Sequence, residues 1–224
     1  MINIAIDGPA GAGKSTVARA IAKDYGYIYV DTGALYRALA YKAINNGIDV
    51  KDEINVTRML GSTKLDITYT EKGQRIILDG EDISDSIRTA QISMGASDIS
   101  ALPFVREWLL DMQKDIARKN DCIMDGRDIG TTILPDAEIK IFLTASVEER
   151  ANRRYKELVA KGESITLEAV IEDVKTRDYN DSHRAVSPLK KADDAIEVDT
   201  TNLDFGQTVN TIKEIIDTHI GGEK

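Results

Sequence analysis

The chain has 224 residues, 42% hydrophobic and 30% charged, a balance found in soluble globular proteins and too apolar for a disordered one. Its formal charge of −9 argues against a nucleic-acid polymer as partner, because that affinity rests on neutralising many phosphates with Lys and Arg. The one cysteine, Cys122, excludes an internal disulfide and a cysteine-rich metal site, and it reads as a buried strand residue. No apolar run reaches the length of a membrane helix, and the chain opens on a strand that leaves no room for a signal peptide. A cytoplasmic location without membrane contact is therefore expected.

Residues 2–6 read as a short buried strand running into Gly8, Pro9, Ala10, Gly11, Ala12 and Gly13, followed by Lys14, Ser15 and Thr16. The spacing Gly8, four residues, Gly13-Lys14-Ser15 is the phosphate-binding loop signature. Its glycines let successive N–H groups turn toward a phosphate, and the helix that opens there adds the positive end of its dipole. Lys14, expected exposed in the first helical turn, would reach the terminal phosphates, and the Ser15 hydroxyl would help hold Mg²⁺. A nucleoside triphosphate is the expected ligand.

A helix is predicted over Lys14–Tyr25, stopped near Gly26, then a buried strand over 27–30 and a helix over 34–45 ended by Asn46-Gly47. This is the start of a parallel α/β sheet. Leu65–Thr70 alternates in strand fashion, Glu71-Lys72-Gly73 is a turn, 74–78 is strand-like and Asp79-Gly80 turns again, so a small antiparallel insert is predicted. Residues 84–120 look helical, with Pro103 in the first turn of a helix over 104–119. The α/β rhythm then returns: strands over 122–124 and 139–143, helices over 146–159 and 167–181, a strand over 195–198 and a helix over 204–218.

A switch-type GTPase would need an Asn- or Thr-Lys-x-Asp element after a buried strand. Thr63-Lys64-Leu65-Asp66 has the letters, but it precedes the alternating hairpin, and no Asp-x-x-Gly switch is found. A second phosphate-bearing ligand is suggested by three other stretches. "VDTGALYR", 30–37, puts Asp31, Thr32 and Gly33 at a strand's carboxyl end, where open α/β sheets keep their ligands, with Arg37 on the following helix. A plain Thr32 helix cap with a surface Arg37 is the competing reading. "IMDGRDIGT", 123–131, ends a buried strand at Asp125, as the Mg²⁺-associated acid of phosphate-loop enzymes does, with Arg127 and Asp128 just beyond; Gly126 and Gly130 could equally mark a simple turn. Arg150, Arg153 and Arg154 share one helix before Lys161-Gly162, and Arg177 and Arg184 flank "DYNDSH". Glu149 lies four residues before Arg153, so a salt-bridged solvent face competes with a closing segment that supplies cations to a transferring phosphoryl group.

In that order and spacing, the Gly8 loop, "DTGALYR", the hairpin insert, "DGRDIGT" with "LPDA", "ERANRR", and "RDYNDSHRAVSPL" with "ADDA" resemble bacterial cytidylate kinases over essentially the whole chain. The resemblance implies transfer of the γ-phosphoryl of ATP to CMP or dCMP with Mg²⁺. It also implies a P-loop three-layer α/β fold with a central parallel sheet, a helical lid and a small antiparallel β insert on the substrate side. The implied organisation is one kinase chain with a core of 1–62 and 121–224, a lid at about 150–165 and a substrate-binding insert at about 63–120. By the same resemblance Thr32, Arg37, Arg127 and Arg184 hold the monophosphate, and Ser97, Arg106 and Asp128 read the base. Arg177 and Asp181 hold the phosphate side and sugar, and Arg153 and Arg154 belong to the lid. Lys14, Arg127, Arg153 and Arg154 form the implied catalytic set, with Ser15 on Mg²⁺ and Asp125 near it through water. A monomer is expected. Shikimate- or adenylate-type kinases share the loop but would need another acceptor site, and a regulatory nucleotide-binding module would not need so many arginines. His183 is expected at a site rim and His219 in solvent, neither with a catalytic role. Trp108 and the tyrosines at 25, 27 and 29 are expected to pack.

Overall fold

The computed structural model describes residues 1–71, 73–160 and 162–221. Lys72 of the expected turn and Lys161 of the expected lid lie outside the described residues. In chain order the elements are β1 (Asn3–Asp7), α1 (Lys14–Tyr25), β2 (Ile28–Asp31), α2 (Thr32–Asn45), α3 (Glu53–Leu60), β3 (Leu65–Thr70), β4 (Gly73–Leu78), β5 (Glu81–Asp82), α4 (Ala90–Ile99) and α5 (Pro103–Lys119). They continue with β6 (Cys122–Gly126), a π-helix (Ile129–Ile133), β7 (Ile139–Thr144), α6 (Val147–Ala160), α7 (Leu167–His183), β8 (Ile196–Asp199) and α8 (Phe205–Gly221).

The larger sheet has five strands in the order β2-β6-β1-β7-β8. β1 pairs in parallel with β6 and β7, and β7 with β8. Ile4, Ala5 and Ile6 of β1 and Cys122, Ile123 and Met124 of β6 are fully buried, the near-continuous apolar run of a parallel strand covered on both faces. The smaller sheet, β3-β4-β5, is antiparallel. Its second turn, Asp79-Gly80, has φ of 52° and 92°, the left-handed pair that a two-residue hairpin loop requires.

Two compact units emerge, residues 1–28 with 120–224, and residues 29–119. The second therefore takes in α2 and α3 as well as the segment 63–119. In the first unit α1 is bounded by two glycines in the left-handed conformation, Gly13 and Gly26, and buries a stripe of Val17, Ala18, Ile21 and Ala22. In the second unit α2, α4 and α5 enclose a core that includes Leu35, Leu39, Ile99, Val105 and Leu109, with Trp108 packed against it.

Several expectations need correction. The N-cap of α2 is Asp31, whose carboxylate accepts the Ala34 N–H, and Thr32 is already the first helical residue. The helical stretch expected over 84–120 begins only at Ala90 and is broken between Ile99 and Pro103. Helix α3 went unforeseen, although Asp52 caps it by accepting from the N–H groups of Ile54 and Asn55. The π-helix after β6 also went unforeseen.

Candidate functional site

The phosphate loop joins β1 to α1. Its entry is sterically exact: Gly8 has φ +146°, and a Cβ there would lie 1.9 Å from the carbonyl oxygen of Leu143 on β7, so no other residue fits. Gly13 accepts the Val17 N–H as α1 begins. Ser15 Oγ donates to Asp125 Oδ2 at 2.8 Å, which places a hydroxyl from α1 against the carboxylate that ends the β6 apolar run. A hydroxyl and a carboxylate are hard oxygen donors of the kind Mg²⁺ selects.

Lys14 corrects its expectation. It is 5% exposed, and its ammonium donates to Pro9 O at 2.8 Å, folded back over the loop. Burial lowers its pKa, followed by the Arg127 cation, while Asp125, Asp181 and Asp7 act in the opposite direction. These five groups thus share one electrostatic neighbourhood in the first unit.

Arg127 donates through Nε to Asp181 Oδ2 on α7 at 2.7 Å. Arg184, just past α7, donates to Asp128 Oδ1 at 3.2 Å and to Ser187 O at 2.7 Å; the Arg184 and Asp128 side chains are 4% and 5% exposed. Burial pushes Asp181 up, but Arg127, Arg184 and Arg177 together hold it below the usual carboxylate range. Arg127, from a distant part of the chain, and Arg177 and Arg184, near neighbours of Asp181 on and just past α7, therefore all act on one buried carboxylate, with Lys14 close enough to feel it.

The arginines of α6 divide by task. Arg150 is buried and donates to Ala145 O, to Ala10 O in the phosphate loop, and to both carboxylate oxygens of Asp178 on α7 at 3.0 and 2.6 Å. It is a strut between the loop and two helices. Arg153 bonds Glu149 at 2.9 Å, the i,i+4 pair noted in the sequence, and also Thr200 Oγ1 and O at 3.0 and 2.7 Å. Arg154 pairs within its own helix with Glu157.

In the second unit, Arg37 donates to Asp31 Oδ2 at 2.7 Å, and Thr32 is buried beside them. Gln74 of β4 closes on the same corner, accepting from Asp31 N at 2.7 Å and donating to Asp31 O at 3.2 Å. Arg106 is 7% exposed, its guanidinium 5.4 Å from the centroid of the Tyr36 ring and bonded to Ser100 O at the end of α4. Ser97 sits one turn earlier on α4, its buried Oγ without a hydrogen-bond partner among the described residues. His183 is exposed and stacked on Tyr179 at 4.1 Å, and His219 is exposed on α8.

Sequence reasoning missed Asp7, Gln74 and the strut role of Arg150. An aspartate at a buried strand's end, immediately before the first loop glycine, was a readable signal for Asp7. Gln74 had none, since its task exists only once the hairpin folds against Asp31.

A glycine-cradled loop opening a helix, a buried lysine folded over it, and a serine–aspartate pair at the end of a parallel strand define a P-loop nucleotide-binding kinase. Residues 4–218 match the cytidylate kinase family, and the chain belongs to it. It is 50% identical over 214 residues to a protein named cytidylate kinase from Pediococcus pentosaceus, covering 96% of this chain and 95% of the relative. It is 47% identical over 222 residues to one from Caldicellulosiruptor saccharolyticus, with 99% and 98% covered. Among solved structures it is similar to a shikimate kinase from Bacteroides thetaiotaomicron, at 11% identity, TM-score 0.47, and 96% and 98% coverage. Among the described residues no helix is long and apolar enough to cross a membrane.

Proposed function

We propose that this chain transfers the γ-phosphoryl group of ATP to CMP and dCMP, giving ADP and the cytidine diphosphates, as a cytoplasmic monomer in pyrimidine nucleotide metabolism. Beyond family membership, the observation that supports this most is the set of Arg127, Arg177 and Arg184 around Asp181, in the same electrostatic neighbourhood as Lys14. A triphosphate loop alone would not need so much additional positive charge; a second polyanion does.

In this reading Lys14 neutralises charge on the transferring group, and Arg127 and Arg184, with Thr32 and Arg37, hold the acceptor phosphate. Arg177 and Asp181 take its phosphate side and sugar. Asp128, Arg106 and Ser97 read cytosine: the carboxylate accepts from the exocyclic amino group, and the guanidinium and hydroxyl donate to the ring nitrogen and carbonyl. Arg153 and Arg154 sit on the helical lid, about 150–165, which keeps water from the phosphoryl group. Ser15, with Asp125 through water, would hold Mg²⁺, which when bound supplies charge neutralisation between the phosphates. No side-chain base is required, because the acceptor oxygen is already largely ionised near neutral pH.

A coupled assay with ATP and a panel of CMP, dCMP, UMP, AMP and shikimate tests the proposal. CMP and dCMP should turn over far faster than UMP, which would set its own carbonyl against Asp128, and EDTA should abolish the activity. Equal use of UMP would remove the base-edge role of Asp128. No turnover of any cytidine nucleotide would remove the proposed activity.

A further inference from the structure

Asp7, at the carboxyl end of β1, is a buried carboxylate to which phosphoryl transfer assigns no task. It is 5% exposed, and each of its oxygens takes one main-chain N–H: Oδ1 from Ile129 at 2.8 Å and Oδ2 from Gly130 at 2.7 Å. Those are the first two residues of the π-helix, whose own N-cap residue, Asp128, provides no side-chain cap. Donors at a helix start need outside acceptors, and here a neighbouring strand supplies them.

The same turn is also packed closely by β7. A Cβ on Gly130 would lie 3.0 Å from Lys140 Cδ and 3.4 Å from Asp7 Oδ2. Lys140 of β7 is itself held by Asp194 at 2.7 Å. The π-helix is thus held at its first turn by Asp7 of β1 and packed by Lys140 of β7, and the two residues immediately before it are Arg127 and Asp128.

We propose that Asp7 is a positioning residue for the acceptor side of the reaction: by anchoring Ile129 and Gly130 it fixes the backbone from which Arg127 and Asp128 reach Asp181 and Arg184. This rests on the reading of Arg127, Asp128 and Arg184 as acceptor-side residues. An isosteric amide would break the arrangement, because Asp7→Asn keeps one acceptor oxygen but turns an NH₂ toward the other N–H.

The test measures CMP and ATP binding separately by titration calorimetry for Asp7→Asn and, in parallel, for Arg127→Ala. Asp7→Asn should raise the CMP Kd about tenfold and the ATP Kd less than about twofold, the range expected when one well-placed hydrogen bond is lost at one subsite. If Arg127→Ala is CMP-selective while Asp7→Asn leaves CMP binding unchanged, or weakens both ligands equally, the positioning role is overturned and the acceptor reading stands. If Arg127→Ala itself weakens both ligands equally, the acceptor reading falls and the proposal with it. Should Asp7→Asn fail to fold, Gly130→Ala decides, since its Cβ would press on both Lys140 Cδ and Asp7 Oδ2 and disturb the same anchor: a CMP-selective loss supports the role, and unchanged CMP binding overturns it.

Discussion

Lys14 is buried, so its replacement tests chemistry under different terms from those of a surface lysine. Lys14→Ala removes an ammonium whose burial is itself costly, so the fold should survive, with a cooperative melt by circular dichroism. The loss of transition-state charge stabilisation should lower kcat by about a hundredfold or more. Near-normal turnover would mean the lysine does not reach the transferring group. Arg184 and Arg154 form a second contrast. The Arg184–Asp128 pair is enclosed, so Arg184→Ala removes a charged hydrogen-bond partner from a buried carboxylate and should destabilise by about 2 kcal/mol. Arg154 pairs with Glu157, which is 62% exposed, so Arg154→Ala should cost under about 0.5 kcal/mol. Urea denaturation of the two variants separates these outcomes. Residue types and spacing marked Lys14, Ser15, Asp125, Arg127 and Arg184 in the sequence. What the sequence did not carry was their partners: the Pro9 carbonyl over Lys14 depends on the folded shape of the loop, and Asp181 on Arg127 and Asp128 on Arg184 are set by tertiary packing across 54 and 56 residues of chain.

Elements with local punctuation were legible almost to the residue. Helix α1 lies between two glycines, and Leu65–Thr70 alternates in the period of a strand. The π-helix carries no such mark, because its widened turn is held by Asp7 across 122 residues of chain, an interaction no local window contains. Helix α3 was overlooked although Asp52 advertises its start; eight residues of mixed polarity give too short a stripe to stand out. Helix α7 offers a direct test of local capping, since the Thr166 hydroxyl accepts the Ala169 N–H at 3.2 Å. Thr166→Ala should cost about 1 kcal/mol, and hydrogen exchange should quicken in the first turn of α7 while its last turn, which carries Asp181, is left protected.

For the whole molecule, stability against pH is set by carboxylates of opposite sense. Burial raises Asp7 from 3.8 to about 6. The folded state therefore holds that proton more tightly than the unfolded chain, and its contribution, full below about 3.8, is lost as pH rises through about 6. Asp31 and Asp181 lie below their ordinary value, so their contributions are present above it and are lost as pH falls. Subtracting Asp7→Asn from the wild type isolates the first effect: between about pH 4 and pH 7 the wild type should lose about 3 kcal/mol relative to the variant. Urea melts across that interval check it, and a flat difference would show that Asp7 does not titrate there. Cys122 adds a reporter that needs no engineering. It is the chain's one thiol, fully enclosed in β6 and pushed up by burial to about 12, so neither access nor ionisation allows it to react while the central sheet is shut. A thiol-directed reagent therefore acts as a stopwatch on the native protein: each labelling event records one opening of that sheet, and the dependence of labelling rate on reagent concentration distinguishes rare, brief openings from slow passage to the unfolded chain.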